Sequence, residues 1–158
     1  MSKYDLFPDA QCPSIAAPAL ERREALHQWF TPAWAAEAIV EQQFGWLRPG
    51  HRVLEPSCGD GAFLGAMPDG VEIIGVEIDP LMARQASAST GKHVIVGDFL
   101  QLRGQDVGAI HAIIGNPPFE ARLVASFLSK SADLLDDGGG AGFILPAYIL
   151  PTRSKVAQ

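Results

Sequence analysis

Two stretches of this chain carry side chains whose types and order could do chemistry. The first is Ile113-Ile114-Gly115-Asn116-Pro117-Pro118-Phe119. Consecutive prolines cannot donate to a sheet ladder and hold φ near one setting. The residue before a proline is pushed towards extended geometry as well. Asn116 is therefore expected on a stiff turn at the carboxyl end of a buried strand, with its amide held and the adjacent carbonyls outside regular structure. Phe119 places a ring just beyond. An amide oxygen, a backbone carbonyl and a neighbouring ring together suit a planar group bearing an NH2. Pro-Pro alone would more often mean only a strand-ending turn beside a core Phe.

The second stretch runs from Arg52 to Gly61. Arg52-Val53-Leu54-Glu55-Pro56 reads as a buried strand, Ser57-Cys58-Gly59-Asp60-Gly61 as a tight turn, and Ala62 to Met67 as a short helix. Strand, glycine turn and helix open a nucleotide-binding βαβ unit. The third glycine of the dinucleotide pattern is absent, because that position is Leu64. Dinucleotide sites offer a pyrophosphate uncharged backbone donors, whereas Glu55 and Asp60 flank this turn and would repel it. They suit a ligand bearing a sulfonium and an α-ammonium group, which favours S-adenosylmethionine over NAD. Glu77 falls where a ribose diol is usually held. Glu55, Glu77, Asp98 and Asn116 end four successive predicted strands, on the edge where open parallel sheets bind ligands. Singly, each acid could be a cap or a surface charge.

The elements that must position these residues follow from pattern and punctuation. At 158 residues with 47% hydrophobic content, the chain can bury one domain's core. Residues 1–18 read as an amino-terminal arm and 19–158 as the domain. Pro18 to His27 has helical composition, with Leu20, Ala25 and Leu26 on one stripe and Arg22 and Arg23 on a solvated face. Thr31 as N-cap and Pro32 at the first helical position start a helix that runs from Ala33 to Leu47. A ligand carboxylate at that helix start is physically reasonable. Further strands are expected over 71–78, 93–96, 109–115 and 141–150, with helices over 81–87 and 119–135. The last helix places Leu123, Phe127, Leu128, Leu134 and Leu135 on or near its apolar face, and Asp136 to Gly140 reads as a flexible turn.

Composition also bounds partners. The formal charge of −6 supplies no basic face of the kind a stand-alone nucleic-acid binder carries. No apolar run approaches the ~20 residues of a membrane span, and the first residues lack a secretory leader. Cys12 and Cys58 show no metal-ligand spacing and imply no disulfide framework, so a reducing, cytoplasmic setting is the default.

In order and spacing, Phe30-Thr31-Pro32, Val53 to Leu64, Ile74 to Pro80, Gly97-Asp98-Phe99 and Asn116 to Phe119 together resemble the amino-methyltransferases. The likeness is greatest to DNA adenine methyltransferases with an amino-terminal motif ten, and it covers roughly Phe30 to Leu150. It implies an α/β, Rossmann-like class I methyltransferase fold, a mostly parallel sheet in the order 3-2-1-4-5. The family's closing hairpin and target-recognition domain would lie outside this chain. The resemblance further implies S-adenosylmethionine as cofactor, with its carboxylate on Thr31 and its methionine part wrapped by Glu55, Pro56, Ser57, Cys58 and Gly59. Glu77 would take the ribose hydroxyls, Ile78 would pack on the adenine, and Asp98, in one motif with Phe99, would accept from its amine. Asn116 and the Pro117 carbonyl would accept from the amine of a flipped adenine in DNA, and Phe119, after Pro118, would stack on it. Similar Asn-Pro-Pro-aromatic motifs occur in ribosomal RNA guanine amino-methyltransferases and release-factor glutamine methyltransferases. A cofactor-binding subunit that needs another chain for recognition is a third expectation. If Phe143 to Leu150 formed an exposed apolar edge strand, a partner chain or a second copy would be needed to cover it.

Overall fold

The computed structural model describes residues 30–149. The expected arm, the helix over 18–27, Cys12 and Leu150, the last residue of the expected fifth strand, lie outside that range.

The described chain runs α1 (Ala33–Gln43), β1 (Arg52–Pro56), α2 (Ala62–Ala66), β2 (Glu72–Glu77), α3 (Pro80–Thr90), β3 (His93–Val96), α4 (Gly104–Val107), β4 (Ile110–Gly115), α5 (Ala121–Leu134) and β5 (Leu135–Phe143). Short 3-10 turns occupy Phe99–Gln101 and Ala147–Ile149. The five strands form one parallel sheet in the order β3-β2-β1-β4-β5, the expected order. Among the described residues no antiparallel strand follows β5.

Strands β1 to β4 are largely apolar and buried because helices cover both faces of the sheet. Successive side chains alternate between those faces. On β1, Val53 joins the core layer containing Ala36, Val40, Phe63 and Ala83, while Leu54 joins the layer of Phe99, Leu102, Phe127 and Leu134. Ala112 and Ile114 of β4 go with the first layer, and Ile110 and Ile113 with the second. Gly75 of β2 is small for a packing reason: a Cβ there would lie 2.8 Å from Cys58 Sγ.

Three expectations are corrected. The N-cap of α1 is Pro32, at φ −58° and ψ 141°, and no side chain caps that end. Thr31 sits one residue earlier and serves another purpose. On α5 the buried stripe is Val124, Phe127, Ser131 and Leu134, at helical spacing, while Leu128 is exposed. The fifth strand does not run over 141–150. It starts at Leu135, opposite Ile110, and an irregularity takes up residues 136–139 before Gly140 pairs with Ala112. The acid-glycine run is thus an irregularity within a strand rather than a turn before one, and Gly138 supplies its left-handed residue at φ 82°. Regular pairing ends at Phe143, because the chain turns at Pro146, whose carbonyl accepts from Ile149 N–H. The outer strand is therefore acid- and glycine-rich instead of the apolar edge expected over Phe143–Leu150.

Candidate active site

The order 3-2-1-4-5 puts β1 next to β4, so the chain leaves that seam in opposite directions. Crevices outside the carboxyl ends of strands at such a switch point hold ligands in open α/β sheets. Glu55 to Ser57 end one side of the seam and Asn116 the other.

Asn116 is half-buried and Pro117 buried, with Pro118 and Phe119 half-buried after them. The Asn116 side-chain Nδ2 donates to Thr31 Oγ1 at 3.2 Å, joining residues 85 apart in sequence. Its backbone carbonyl lies 3.5 Å from the Ser57 hydroxyl, which also donates to the Pro56 carbonyl. The amide is held, as the proline pair implied, and it is held at the rim. Nothing in local sequence pattern signalled the Thr31 bond, since it links the lead-in of α1 to the end of β4.

The turn after β1 is built by backbone geometry. Ser57 takes φ 56° and Gly59 φ 54°, both left-handed. The Cys58 N–H donates to the Val76 carbonyl, tying the turn to β2. Gly59 N–H donates to Glu77 Oε2 at 2.8 Å, and Asp79 N–H to Glu77 Oε1 at 2.9 Å. Asp79 in turn accepts from Leu81 N–H and caps α3. Glu77, 3% exposed, is thus a buried acid held by backbone amides, those of Gly59 and Asp79 among them. The Phe30 ring lies over the same turn: a Cβ on Gly59 would meet it at 3.4 Å. That ring was visible in sequence only as the residue before Thr31-Pro32.

Glu55 is the most exceptional group. It is 3% exposed, and its Oε2 has no hydrogen-bond partner among the described residues. Burial pushes its carboxyl well above the usual range; Asp60 and Glu77 push it further, against a Leu64 backbone amide that pulls it down. Burial likewise raises Glu77, opposed by the amides of Asp79 and Gly59. Cys58 is buried, and its thiol is pushed well up by burial, then by Glu55 and Glu77, so it is a packing residue and no nucleophile.

The remaining expected residues divide. Asp98 is half-buried at the end of β3 and its Oδ1 accepts from Leu100 N–H, capping the turn that follows. Ile78 is half-buried directly after Glu77. Phe99 is 3% exposed and packs on Phe127 at 4.9 Å between centroids, a layer beneath the rim. Pro56 is fully buried. The site therefore has a carboxylate-lined half around β1, β2 and β3 and an amide-bearing half at Thr31 and Asn116. The unpartnered buried oxygen of Glu55 fits a cationic ligand and opposes a pyrophosphate.

No protein-family model matches the chain. Among curated proteins it is 31% identical to the type II methyltransferase M.TthHB8I of Thermus thermophilus, over 90% of this chain and 38% of that protein. It is 36% identical to the type II methyltransferase M.CvrRI of Paramecium bursaria Chlorella virus XZ-6E, over 60% of this chain and 24% of the relative. It is 25% identical to the ribosomal protein L11 methyltransferase of Thermus thermophilus, over all of this chain and 59% of that one. The chain thus spans about two fifths of the length of M.TthHB8I and about a quarter of M.CvrRI. Solved structures with the same fold include TrmN of Thermus thermophilus, at TM-score 0.62 and 24% identity over 82% of this chain and 44% of that one. Another is the 23S rRNA methyltransferase ErmE, at TM-score 0.61 and 20% identity over 77% and 49%. A third is magnesium protoporphyrin IX methyltransferase of Synechocystis PCC 6803 with bound SAM, at TM-score 0.57 and 16% identity over 74% and 66%. The fold is that of Rossmann-like, S-adenosylmethionine-dependent methyltransferases. No helix among the described residues is long and apolar enough to cross a membrane.

Proposed function

We propose that this chain is the cofactor-binding and methyl-transferring part of a DNA methyltransferase that acts on the exocyclic amine of adenine. The observation that carries the reading is the placement of Asn116 at the β1–β4 seam, bonded to Thr31, with the buried Glu55, whose Oε2 meets no partner among the described residues, at the end of the neighbouring strand β1. Likeness to two type II methyltransferases supports DNA as the substrate class.

Bound S-adenosylmethionine would supply an electrophilic methyl group on a positively charged sulfur. Thr31, at the start of α1, would take its carboxylate, and the turn from Glu55 through Pro56, Ser57, Cys58 and Gly59 would surround the methionine part. Glu77 would accept from the ribose hydroxyls, and Ile78 and Asp98 would define the adenine pocket, with Phe99 supporting them from the core. An aromatic amine is a poor nucleophile because its lone pair is delocalised into the ring. The Asn116 amide oxygen and the Pro117 carbonyl would accept from its two hydrogens, drawing the nitrogen towards tetrahedral geometry and aiming the lone pair at the methyl. Phe119, after the rigid Pro118, would stack on the base. The base must leave the duplex, since its amine is otherwise paired and out of reach. Positioning supplies most of the rate, and loss of one buried acceptor costs on the order of 3 kcal/mol in the transition state.

The acceptor class has a second reading, favoured by the ribosomal protein L11 methyltransferase match along the whole chain and by the rRNA methyltransferase fold neighbour. A labelled-methyl assay on unmethylated DNA, ribosomal RNA and ribosomal protein separates them. The DNA reading expects label in DNA at adenine N6, reduced by about two orders of magnitude or more in Asn116→Ala, with saturable cofactor binding by calorimetry kept. Label in RNA or protein but not DNA overturns the substrate, and undiminished transfer by Asn116→Ala overturns the site. Saturable cofactor binding with no transfer to any acceptor favours a subunit that works with another chain, for which the outer edge of β5, unpaired among the described residues, is the place to dock.

A further inference from the structure

We infer that Thr31 is a positioning residue that links the two halves of the site, so that a carboxylate bound at the start of α1 locks the orientation of the Asn116 amide. The inference rests on the cofactor reading above and adds a coupling to it.

The bond from Asn116 Nδ2 to Thr31 Oγ1 is the physical basis. A threonine hydroxyl has one proton to donate and lone pairs to accept with. With its proton uncommitted, it can meet either end of a neighbouring amide: as acceptor to the NH2, or as donor to the oxygen. Both amide orientations are then compatible with a hydrogen bond. An anionic carboxylate accepting the Thr31 proton removes that choice. The hydroxyl oxygen is left only as an acceptor, and only the amide nitrogen can face it. The Asn116 oxygen is thereby directed away from Thr31, because the oxygen and nitrogen diverge at the planar amide carbon. That orientation presents an acceptor, rather than a donor, to an incoming NH2.

The chain of bonds is also polarised in the useful sense. Negative charge at the carboxylate makes the Thr31 oxygen a better acceptor, which draws on the Asn116 N–H and increases the charge on the amide oxygen. Hydrogen-bond chains of this kind strengthen one another in a partly buried site. The surrounding construction keeps the path short: Pro32 removes a competing N–H beside Thr31, and the prolines after Asn116 stop the backbone from swinging. The Ser57 hydroxyl at the Asn116 carbonyl holds the residue from the β1 side. Thr31 thus reports cofactor occupancy to the residue that receives the substrate.

The test follows the side-chain NH2 signal of Asn116 by NMR in the full chain, identified by its loss in Asn116→Asp. It is recorded without ligand, with S-adenosylhomocysteine, and with methylthioadenosine, which lacks the amino-acid part. Homocysteine-bearing ligand is expected to shift this NH2 pair and slow its exchange with solvent on the order of 5-fold or more, while methylthioadenosine leaves it near the free value. Thr31→Ser retains the response and Thr31→Val loses it. Equal responses to the two ligands, or an unchanged response in Thr31→Val, overturn the coupling. If S-adenosylhomocysteine binds by calorimetry and the Asn116 signal does not move, the coupling fails while the cofactor reading stands. If it does not bind, both fail. Should Thr31→Val not fold, the ligand contrast in the unmodified chain and in Thr31→Ser still decides.

Discussion

Strand β1 is five residues long and has opposite chemistry at its two ends. At its foot, Arg52 is fully engaged: its Nε and Nη2 meet Glu72 at 2.8 Å, and its Nη1 donates to the Val107 carbonyl at 2.8 Å. Its backbone N–H donates to His111 Nδ1, and His111 stacks on His51 at 4.7 Å. At its head, three residues on, Glu55 is buried with an oxygen that meets no partner among the described residues. Folding alone explains Arg52 at the foot, where every donor group meets an acceptor, although His51 Nδ1 beside it meets no partner among the described residues. It does not explain the head, where an acid is held in a state that costs stability until something positive arrives. Strain of this sort concentrates at functional sites.

The largest effect that sharpens the contrast comes from Glu55→Gln, which removes the charge and keeps the shape. Cofactor affinity is expected to fall by about 10- to 100-fold, or roughly 1.5–3 kcal/mol, the range for hydrogen bonds to charged groups. The ligand-free fold is expected to gain stability, read as a higher melting temperature at neutral pH. Opposite signs in the two measurements are the signature of a binding group maintained at the fold's expense. An unchanged affinity would make Glu55 merely a tolerated core acid and remove the distinction between the ends.

The two ends also predict opposite slopes of stability with pH. Glu55 and Glu77 have folded values raised by burial, Glu55 the more strongly. Their protonated forms are favoured by the fold, so their contribution is complete below the ordinary glutamate value of about 4.3 and is lost as pH rises through the folded values. His51 is lowered, first by burial, then by His111 and Arg48. Its neutral form is the folded one, so stability is lost as pH falls below about 6.5. Melting curves across pH should therefore show a falling alkaline limb that Glu55→Gln flattens and an acid limb that His51→Gln reduces. S-adenosylmethionine should flatten only the alkaline limb. A cofactor that flattened the acid limb instead would reverse the assignment of the ends.

The same contrast explains what could be read in the sequence. β1 and β3 were legible to the residue, because a buried parallel strand is an uninterrupted apolar run with a hard stop. The strand order came with the resemblance. The acids at the strand ends were legible as types in a series. The unpartnered state of Glu55 was not, since it depends on what the fold fails to bring near. The Thr31–Asn116 bond was hidden for the complementary reason, as 85 residues separate its ends. The threonine had a sufficient local explanation as a cap, which the structure assigns to Pro32. β5 was misread because glycine and aspartate signal turns, whereas here they fill a bulge within the outermost strand, where small and charged residues suit an exposed edge.

The smallest effects belong to the foot and separate its two kinds of contact. The Glu72 side chain is more than half exposed and Arg52 about one-third exposed, so solvent screens the pair. Glu72→Gln is expected to cost at most about 0.5–1 kcal/mol, measured by urea denaturation, and less at high salt. Arg52→Met should cost more, about 1–3 kcal/mol, because it also leaves the Val107 carbonyl without its donor. The approach is tight there: a Cβ at Gly108, whose φ is 70°, would fall 2.7 Å from Nη1. Gly108→Ala should therefore resemble Arg52→Met in stability rather than Glu72→Gln, since it displaces the guanidinium from the carbonyl and adds a left-handed alanine. None of the three should change cofactor affinity, because the foot lies at the opposite end of the strand from the site. A foot variant that weakened cofactor binding as much as Glu55→Gln would mean that the two ends of β1 are energetically one unit, and the division drawn between them would not hold.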